Sequence, residues 1–339
     1  MKLLAAIVAV LLCGSLAHAA PGPQVIGWVP PYALEASMRA LESNPVVGAT
    51  LTRIGLQLWN PSVDGRGLVF APIDASGKQV TGSDVTRFRD WAKARGIQVL
   101  LTVYNNSQVL GKWDWALARA AFADHRAEFI QALMAEMDKY QLDGVDLDLE
   151  GQGDLDADRV AYAAFVRDLS KVLKSKAKLL TIDSFHSPCA NAPNMSWWVD
   201  WKEQVDAIHS MGYADLYEGS TDTFSPPGNP ACAGGAHLFK YSWQLQYGLE
   251  AGYRADQIVM GLPTWVDSWG KGGVGIDTVS HLQEVQALGG GVGLWDLQLA
   301  APGWMRKDTW DAVRALRQSP GSGWRKLDPG GLESNLKAP

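Results

Sequence analysis

Cysteine is scarce in this chain. Its 339 residues carry 3, and one of them, Cys13, lies in the N-terminal segment. That excludes a fold stapled by several disulfides. The 6 histidines show no metal-ligand spacing, and no phosphate-binding fingerprint follows a predicted strand despite 35 glycines. Neither a metal nor an organic cofactor is implied. Positive charge forms no cluster and the formal net charge is −6, so nucleic acid is not an expected partner. Past the N-terminus, no apolar run is long enough to span a bilayer, so no membrane span is expected.

Residues 1–19 read as a secretory signal. Lys2 supplies the positive start, Leu3 to Leu12 the short apolar run, and Ala17-His18-Ala19 a small-x-small cleavage site. Leu12 precedes Cys13 where a lipoprotein signal needs a small residue, so plain export is expected, to the periplasm or beyond. In an exported chain the two remaining cysteines, Cys189 and Cys232, both in Pro- and Gly-rich loops, are expected to pair. The 47% hydrophobic content suffices for one large core. Only 9% of residues are aromatic, yet 15 are Trp. Most of those indoles read as core, and a minority as stacking surface.

Strands and helices alternate along the chain. Strands are predicted at Val25–Val29, Leu51–Trp59, Ile97–Tyr104, around 145–149, Lys178–Asp183, Ala207–Tyr213, Gln257–Leu262 and Gly291–Leu297. Helices are predicted at Leu34–Glu42, Asp84–Arg95 with Ser83 as N-cap, Leu117–Tyr140, Asp158–Ser175, Trp198–Val205, His237–Ala251, Val279–Leu288 and Asp308–Leu316. Residues 62–80 form a Gly-rich loop or hairpin. Eight strands joined by helical crossovers close into an α/β (β/α)8 barrel. One domain is expected over 20–318, with no inserted or appended module. An extended or disordered tail follows over 319–339, and the protein is expected to be a monomer.

The densest chemistry lies in Asp143-Gly144-Val145-Asp146-Leu147-Asp148-Leu149-Glu150. Acid and aliphatic alternate from Asp146 to Glu150, so Asp146, Asp148 and Glu150 share one strand face. Three carboxylates on one face repel and lose hydration when buried, which no fold gains from. A solvated edge strand and a calcium or magnesium site are the other two readings. The long helical pattern before the strand and the Gly-rich sequence after it favour a buried parallel strand instead. Acids near the C-terminal end of such a strand sit where barrel active sites are built.

Asp143-Gly144-x-Asp146-x-Asp148-x-Glu150 resembles the signature of glycoside hydrolase family 18, the chitinases and their relatives. Met211-Gly212-Tyr213 resembles the family's sixth-strand Met-x-Tyr. Gly291–Asp296, with Trp295, resembles its last strand. Two positions depart from the pattern. The third strand ends in Thr102-Val103-Tyr104-Asn105-Asn106 where Ser-x-Gly-Gly is common, and Ala214 separates Tyr213 from Asp215. The resemblance implies a triose-isomerase-type barrel and cleavage of β-1,4 bonds next to N-acetylglucosamine in a polysaccharide or oligosaccharide. Relatives acting on peptidoglycan or N-glycans, and binding-only lectins, are the alternatives. Lectins typically lose the acid that Glu150 retains.

Glu150, outermost on the strand, is the natural proton donor. Asp148 lies two residues inward, roughly 6.6 Å along the strand. Both acids stand on one side of a bound sugar, so neither attacks from the opposite face. In the family this chain resembles, the substrate's 2-acetamido oxygen attacks instead. The resemblance then implies that Asp148 orients the acetamido group and Asp146 shares a proton with Asp148. It also implies that Tyr213 holds the acetamido oxygen and Trp295 stacks under the sugar. Neighbouring negative charge keeps Glu150 protonated near neutral pH. Trp28, Tyr104, Asp215 and Trp265 are further candidates for substrate binding, equally readable as packing. Asp143 has the opposite parity and reads as structural.

Overall fold

The computed structural model describes residues 22–74, 76–107, 112–186, 191–212, 241–265 and 278–318. The expected signal segment, the 319–339 tail, and Cys189, Cys232, Tyr213 and Asp215 lie outside these residues. Eight parallel strands close into a barrel in chain order. They are β1 (Val25–Val29), β2 (Arg53–Pro61), β3 (Gln98–Tyr104), β4 (Gly144–Asp148), β5 (Leu179–Ser184), β6 (Ala207–Ser210), β7 (Ile258–Pro263) and β8 (Gly291–Trp295). β1 pairs with both β2 and β8, which closes the ring. Nearly every strand residue is buried, as expected of strands covered on both faces. Helices Leu34–Ser43, Gly82–Lys93, Arg126–Lys139, Arg159–Ser175, Tyr241–Ala251, Thr278–Leu288 and Lys307–Gln318 surround it. Among the described residues no helix is long and apolar enough to cross a membrane.

Several elements differ from the sequence expectations, each for a local reason. The helix expected from Asp84 starts at Gly82 and is capped by Thr81, not Ser83. Asp84 accepts from the Thr81 amide at 2.8 Å and completes a capping box. The helix expected over Leu117–Tyr140 is broken. A short helix, Trp115–Arg119, passes into a wide turn over Ala120–Asp124, where the His125 amide donates to the Ala120 carbonyl. The extra residue keeps Phe122 and Phe129 on one buried side, and both rings contact Phe165. The helix expected at Trp198–Val205 is instead a 3-10 turn over Met195–Asp200, which brings Trp197 and Trp201 against Tyr162. β6 ends at Ser210 rather than Tyr213. The 62–80 loop does contain a hairpin strand, Leu68–Phe70, antiparallel to the end of β2.

Two features of the barrel interior position the acidic strand. Asp143 stands at the base of β4 and accepts from the Val99 amide of β3 at 2.8 Å. Asp206, at the base of β6, does the same to the Leu180 amide of β5 at 2.8 Å. The repeated arrangement fixes the height of each strand against its neighbour. Higher up, the Trp28 indole lies across the barrel in space that two glycines leave open. A Cβ on Gly55 would stand 2.5 Å from the Trp28 ring and 2.7 Å from Thr102 Oγ1, and one on Gly293 would stand 2.9 Å from the same indole.

Gly55→Ala is therefore expected to destabilise the fold by about 1–3 kcal/mol through overpacking. Denaturant unfolding checks this. Unchanged stability would mean that the indole does not fill that space.

Candidate active site

Asp146 and Asp148 point into the barrel from β4, and Glu150 follows two residues past the strand end. Asp146 is fully buried. Its Oδ2 accepts from Trp28 Nε1 (2.9 Å, from β1) and Thr102 Oγ1 (2.9 Å, from β3). Its Oδ1 accepts from Thr181 Oγ1 (2.5 Å, from β5) and lies 3.2 Å from His209 Nδ1 of β6. The same His209 nitrogen stands 2.8 Å from Asp183 Oδ1. Burial alone would raise the Asp146 pKa, but His209 and these donors outweigh it and hold the carboxyl below its usual range. Asp183, buried beside the Asp146 and Asp148 charges, is raised well above its usual range and shares its proton with Asp146.

Asp148 accepts from Gln57 Nε2 of β2 at 2.6 Å. Burial, offset by that bond and reinforced by the Asp146 charge, pushes it up to about 7. Glu150 is raised well above the carboxylate range, first by burial and then by the charge of Asp148, with which it shares a hydrogen bond. Glu150 thus donates to Asp148, while Asp146 accepts from donors on four other strands.

A cavity of about 260 Å³ opens above this cluster, lined by Trp113, Asp148, Glu150, Asp183, Phe185, Met211 and Trp295. Of the expected substrate contacts, Trp295 reaches this cavity. Trp28 does not. It is 1% exposed, and inward parity on β1 places it beneath Trp295, ring centroids 6.1 Å apart. Tyr104, also 1% exposed, sits behind Trp113, whose ring it meets edge-on at 6.0 Å. Trp265 follows β7, 38% exposed and outside the cavity lining. Asp143 is at the foot of the barrel, away from the cavity.

Asp183, His209, Gln57 and Asn105 are functional positions that the sequence pattern does not single out. The first three stand there only as polar residues interrupting apolar strands, and their partners depend on register. Asp146 lies opposite Thr102 and Thr181, and Asp183 opposite His209. Asn105 belongs to the stretch that departs from Ser-x-Gly-Gly. It is fully buried, its Oδ1 accepts from the Glu150 amide (2.7 Å), and its Nδ2 donates to the Glu150 carbonyl (2.8 Å) and the Asp114 carbonyl (2.9 Å). It fixes the backbone of the acid and ties it to the segment carrying Trp113. Asp146, Asp183 and His209 are close enough to surround an ion. Their facing atoms are already at hydrogen-bond distance from one another, and Asp146 also accepts from Trp28, Thr102 and Thr181, which fits a proton network better than a cation site.

The sequence profile of glycosyl hydrolases family 18 matches residues 68–311, well over half of the chain. The fold is similar to a chitinase from Chromobacterium violaceum ATCC 12472, with a TM-score of 0.63 and 15% identity, covering 88% of this chain and 100% of that one. It is similar to a class V chitinase from Pseudomonas fluorescens Pf-5, with a TM-score of 0.62 and 18% identity, covering 87% and 99%. The Bacillus cereus spore cortex-lytic enzyme SleL matches at a TM-score of 0.62 and 15% identity, covering 87% of this chain and 74% of that one. The chain belongs to glycosyl hydrolase family 18, and its fold is that of a glycoside hydrolase.

Asn105→Ala removes both bonds that hold Glu150 at the barrel mouth. Turnover is expected to fall roughly 10–100-fold with KM little changed, because small displacements of an acid are costly. Steady-state kinetics check this, and an unchanged kcat would show that Glu150 needs no such clamp.

Proposed function

We propose that the protein is an exported, retaining glycosidase that cleaves β-1,4 bonds of N-acetylglucosamine-containing glycans, chitin or chitooligosaccharides, by substrate-assisted catalysis. The observation that carries this reading is the Asp148–Glu150 pair sharing a hydrogen bond on the wall of a cavity that Trp295 also lines. A glycosidase needs a protonated acid at the leaving oxygen and a group to meet charge at the anomeric carbon. Glu150 meets the first need. Its carboxyl partners come from β4 and β5, adjacent strands on one side of the cavity. That disposition supports attack by the substrate's own acetamido oxygen rather than by a protein carboxylate.

In this mechanism Glu150 protonates the glycosidic oxygen as the acetamido oxygen closes on the anomeric carbon. Asp148 holds the acetamido N–H and stabilises the cyclic cation. Tyr213, which follows β6 in the chain, holds the acetamido oxygen, and Asp215 contributes to substrate binding. Water deprotonated by Glu150 then opens the ring from its original face, giving the β-anomer. Trp295 supplies the apolar floor for the sugar ring. Export rests on residues 1–19 and fits a polymer substrate outside the cell. The alternative substrates are peptidoglycan and N-glycans, for which the departure at Asn105-Asn106 is the motive. Product analysis on chitin oligomers, sacculi and high-mannose glycoprotein separates them. The lectin reading is disfavoured because the acid is present and held protonated.

Glu150→Gln should abolish nearly all turnover while keeping binding; turnover within about tenfold of wild type would remove Glu150 as the acid. Fully deacetylated oligomers should react at least about a thousandfold more slowly, several kcal/mol of transition-state stabilisation. Comparable rates, or an α-anomer seen first by NMR, would refute substrate assistance. The pH dependence follows from the same pair. With Asp148 at about 7 and Glu150 raised well above its usual range and donating to it, the singly protonated pair exists above about 7 and persists until Glu150 ionises. The rate should therefore fall as pH drops through about 7 and again on the alkaline side. A rate still rising below pH ~5 would contradict this assignment.

A further inference from the structure

Asp183 and His209 lie next to the acids yet have no part in the mechanism above. A carboxylate offers about four lone-pair positions. Asp146 faces donors from four strands, Trp28, Thr102, Thr181 and His209, with the Asp183 carboxyl beside them. All four donors are buried and none lines the cavity, but His209 differs from the other three in one respect. Its Nδ1 is forked between Asp146 at 3.2 Å and Asp183 at 2.8 Å. At 1% exposure it cannot act on substrate directly. The edge of the Trp28 indole fixes its ring, centroids 5.0 Å apart at 79°. Without this nitrogen, Oδ1 of Asp146 would lose an N–H donor. Two carboxyls then stand next to it, Asp183 from β5 and Asp148 two residues along the same strand face.

We propose that His209 and Asp183 form a positioning pair: by occupying Asp146 they leave Asp148 turned to Glu150, so the acid unit stands assembled before substrate arrives. The inference rests on the glycosidase reading of Glu150 but concerns which neighbour Asp148 chooses. A purely structural role would satisfy buried groups and leave Glu150 untouched. A positioning role couples the barrel interior to the Glu150 proton. The titratable groups facing the pair are Asp146, Asp148 and Glu150 from β4, Arg53 from β2 beneath Asp146, and Tyr162 from the helix Arg159–Ser175. Of these, Asp148 is the one that can exchange partners between Asp146 and Glu150.

The test follows the Glu150 side-chain carboxyl by carbon-13 NMR across pH, its resonance assigned through Glu150→Gln. This readout needs no turnover, so it stands apart from the substrate question. His209→Leu removes the donor. Asp148 is then drawn toward Asp146, and the Glu150 titration midpoint should fall by about one unit. On an active substrate, kcat should fall roughly 10–100-fold with KM within about twofold. His209→Asn places an amide N–H where Nδ1 was and should restore most of both losses. Thr181→Val removes a different Asp146 donor without changing side-chain volume, and should move the midpoint in the same direction by a smaller amount. This variant keeps the test open should His209→Leu fail to fold. An unmoved Glu150 midpoint in both His209→Leu and Thr181→Val would overturn the proposal. So would equal losses in His209→Asn and His209→Leu, since the ring would then be packing alone. Absence of turnover by the wild type on any glycan would count against the glycosidase reading, while the NMR comparison would still decide this one.

Discussion

An ionised carboxylate sits at the centre of a barrel that is otherwise closely packed. Leaving Asp146 charged without water requires compensation from the protein itself, since an uncompensated buried charge costs several kcal/mol. The compensation is spread over β1, β3, β5 and β6, and each donor fits only if its strand holds the right height. The carboxylate-to-amide contacts at the feet of β4 and β6 set two of those heights. Gly55 and Gly293 leave the space that the Trp28 donor occupies. The polar centre is thus a specification of strand register as well as a part of the chemistry.

Charge is then graded outward along β4. The innermost acid is held below its usual range, the next is raised to about 7, and the outermost is raised well above its usual range. The gradient follows the donors: Asp146 accepts from four strands, Asp148 accepts from Gln57 and Glu150, and Glu150 itself donates to Asp148. Acids of one chemical type take different protonation states because their surroundings differ. Asn105 adds a geometric control, holding the Glu150 backbone on both its amide and its carbonyl.

The barrel was legible in the sequence because eight apolar strands alternate with helical patterns. The acid strand was legible because carboxylates alternating with aliphatics at period two put every acid on one strand face. Trp295 was legible from its place at the end of the last strand. What the sequence concealed is whatever depends on contact between strands. Asp183 and His209 are single polar residues in separate runs, and only the pairing of β5 with β6 makes them neighbours. Trp28 was open between sugar contact and packing for the same reason: its depth beneath Trp295 depends on how β1 and β8 are registered. The break in the helix before β4 leaves little trace in the sequence, because one extra residue in a turn barely disturbs the spacing of Phe122 and Phe129.

Beyond Glu150 the chain pairs with the segment that follows β5. Gly151 exchanges two backbone bonds with Ala192, at 2.8 and 2.9 Å, and the Asn191 amide donates to the Gly153 carbonyl at 2.7 Å. With Asn105 on the other side, the arc from β3 to β5 is joined into one frame around the acid. Sequence drift there would disturb the chemistry before it could alter substrate preference. A designer seeking a new glycan preference would therefore leave the backbone contacts of this arc untouched.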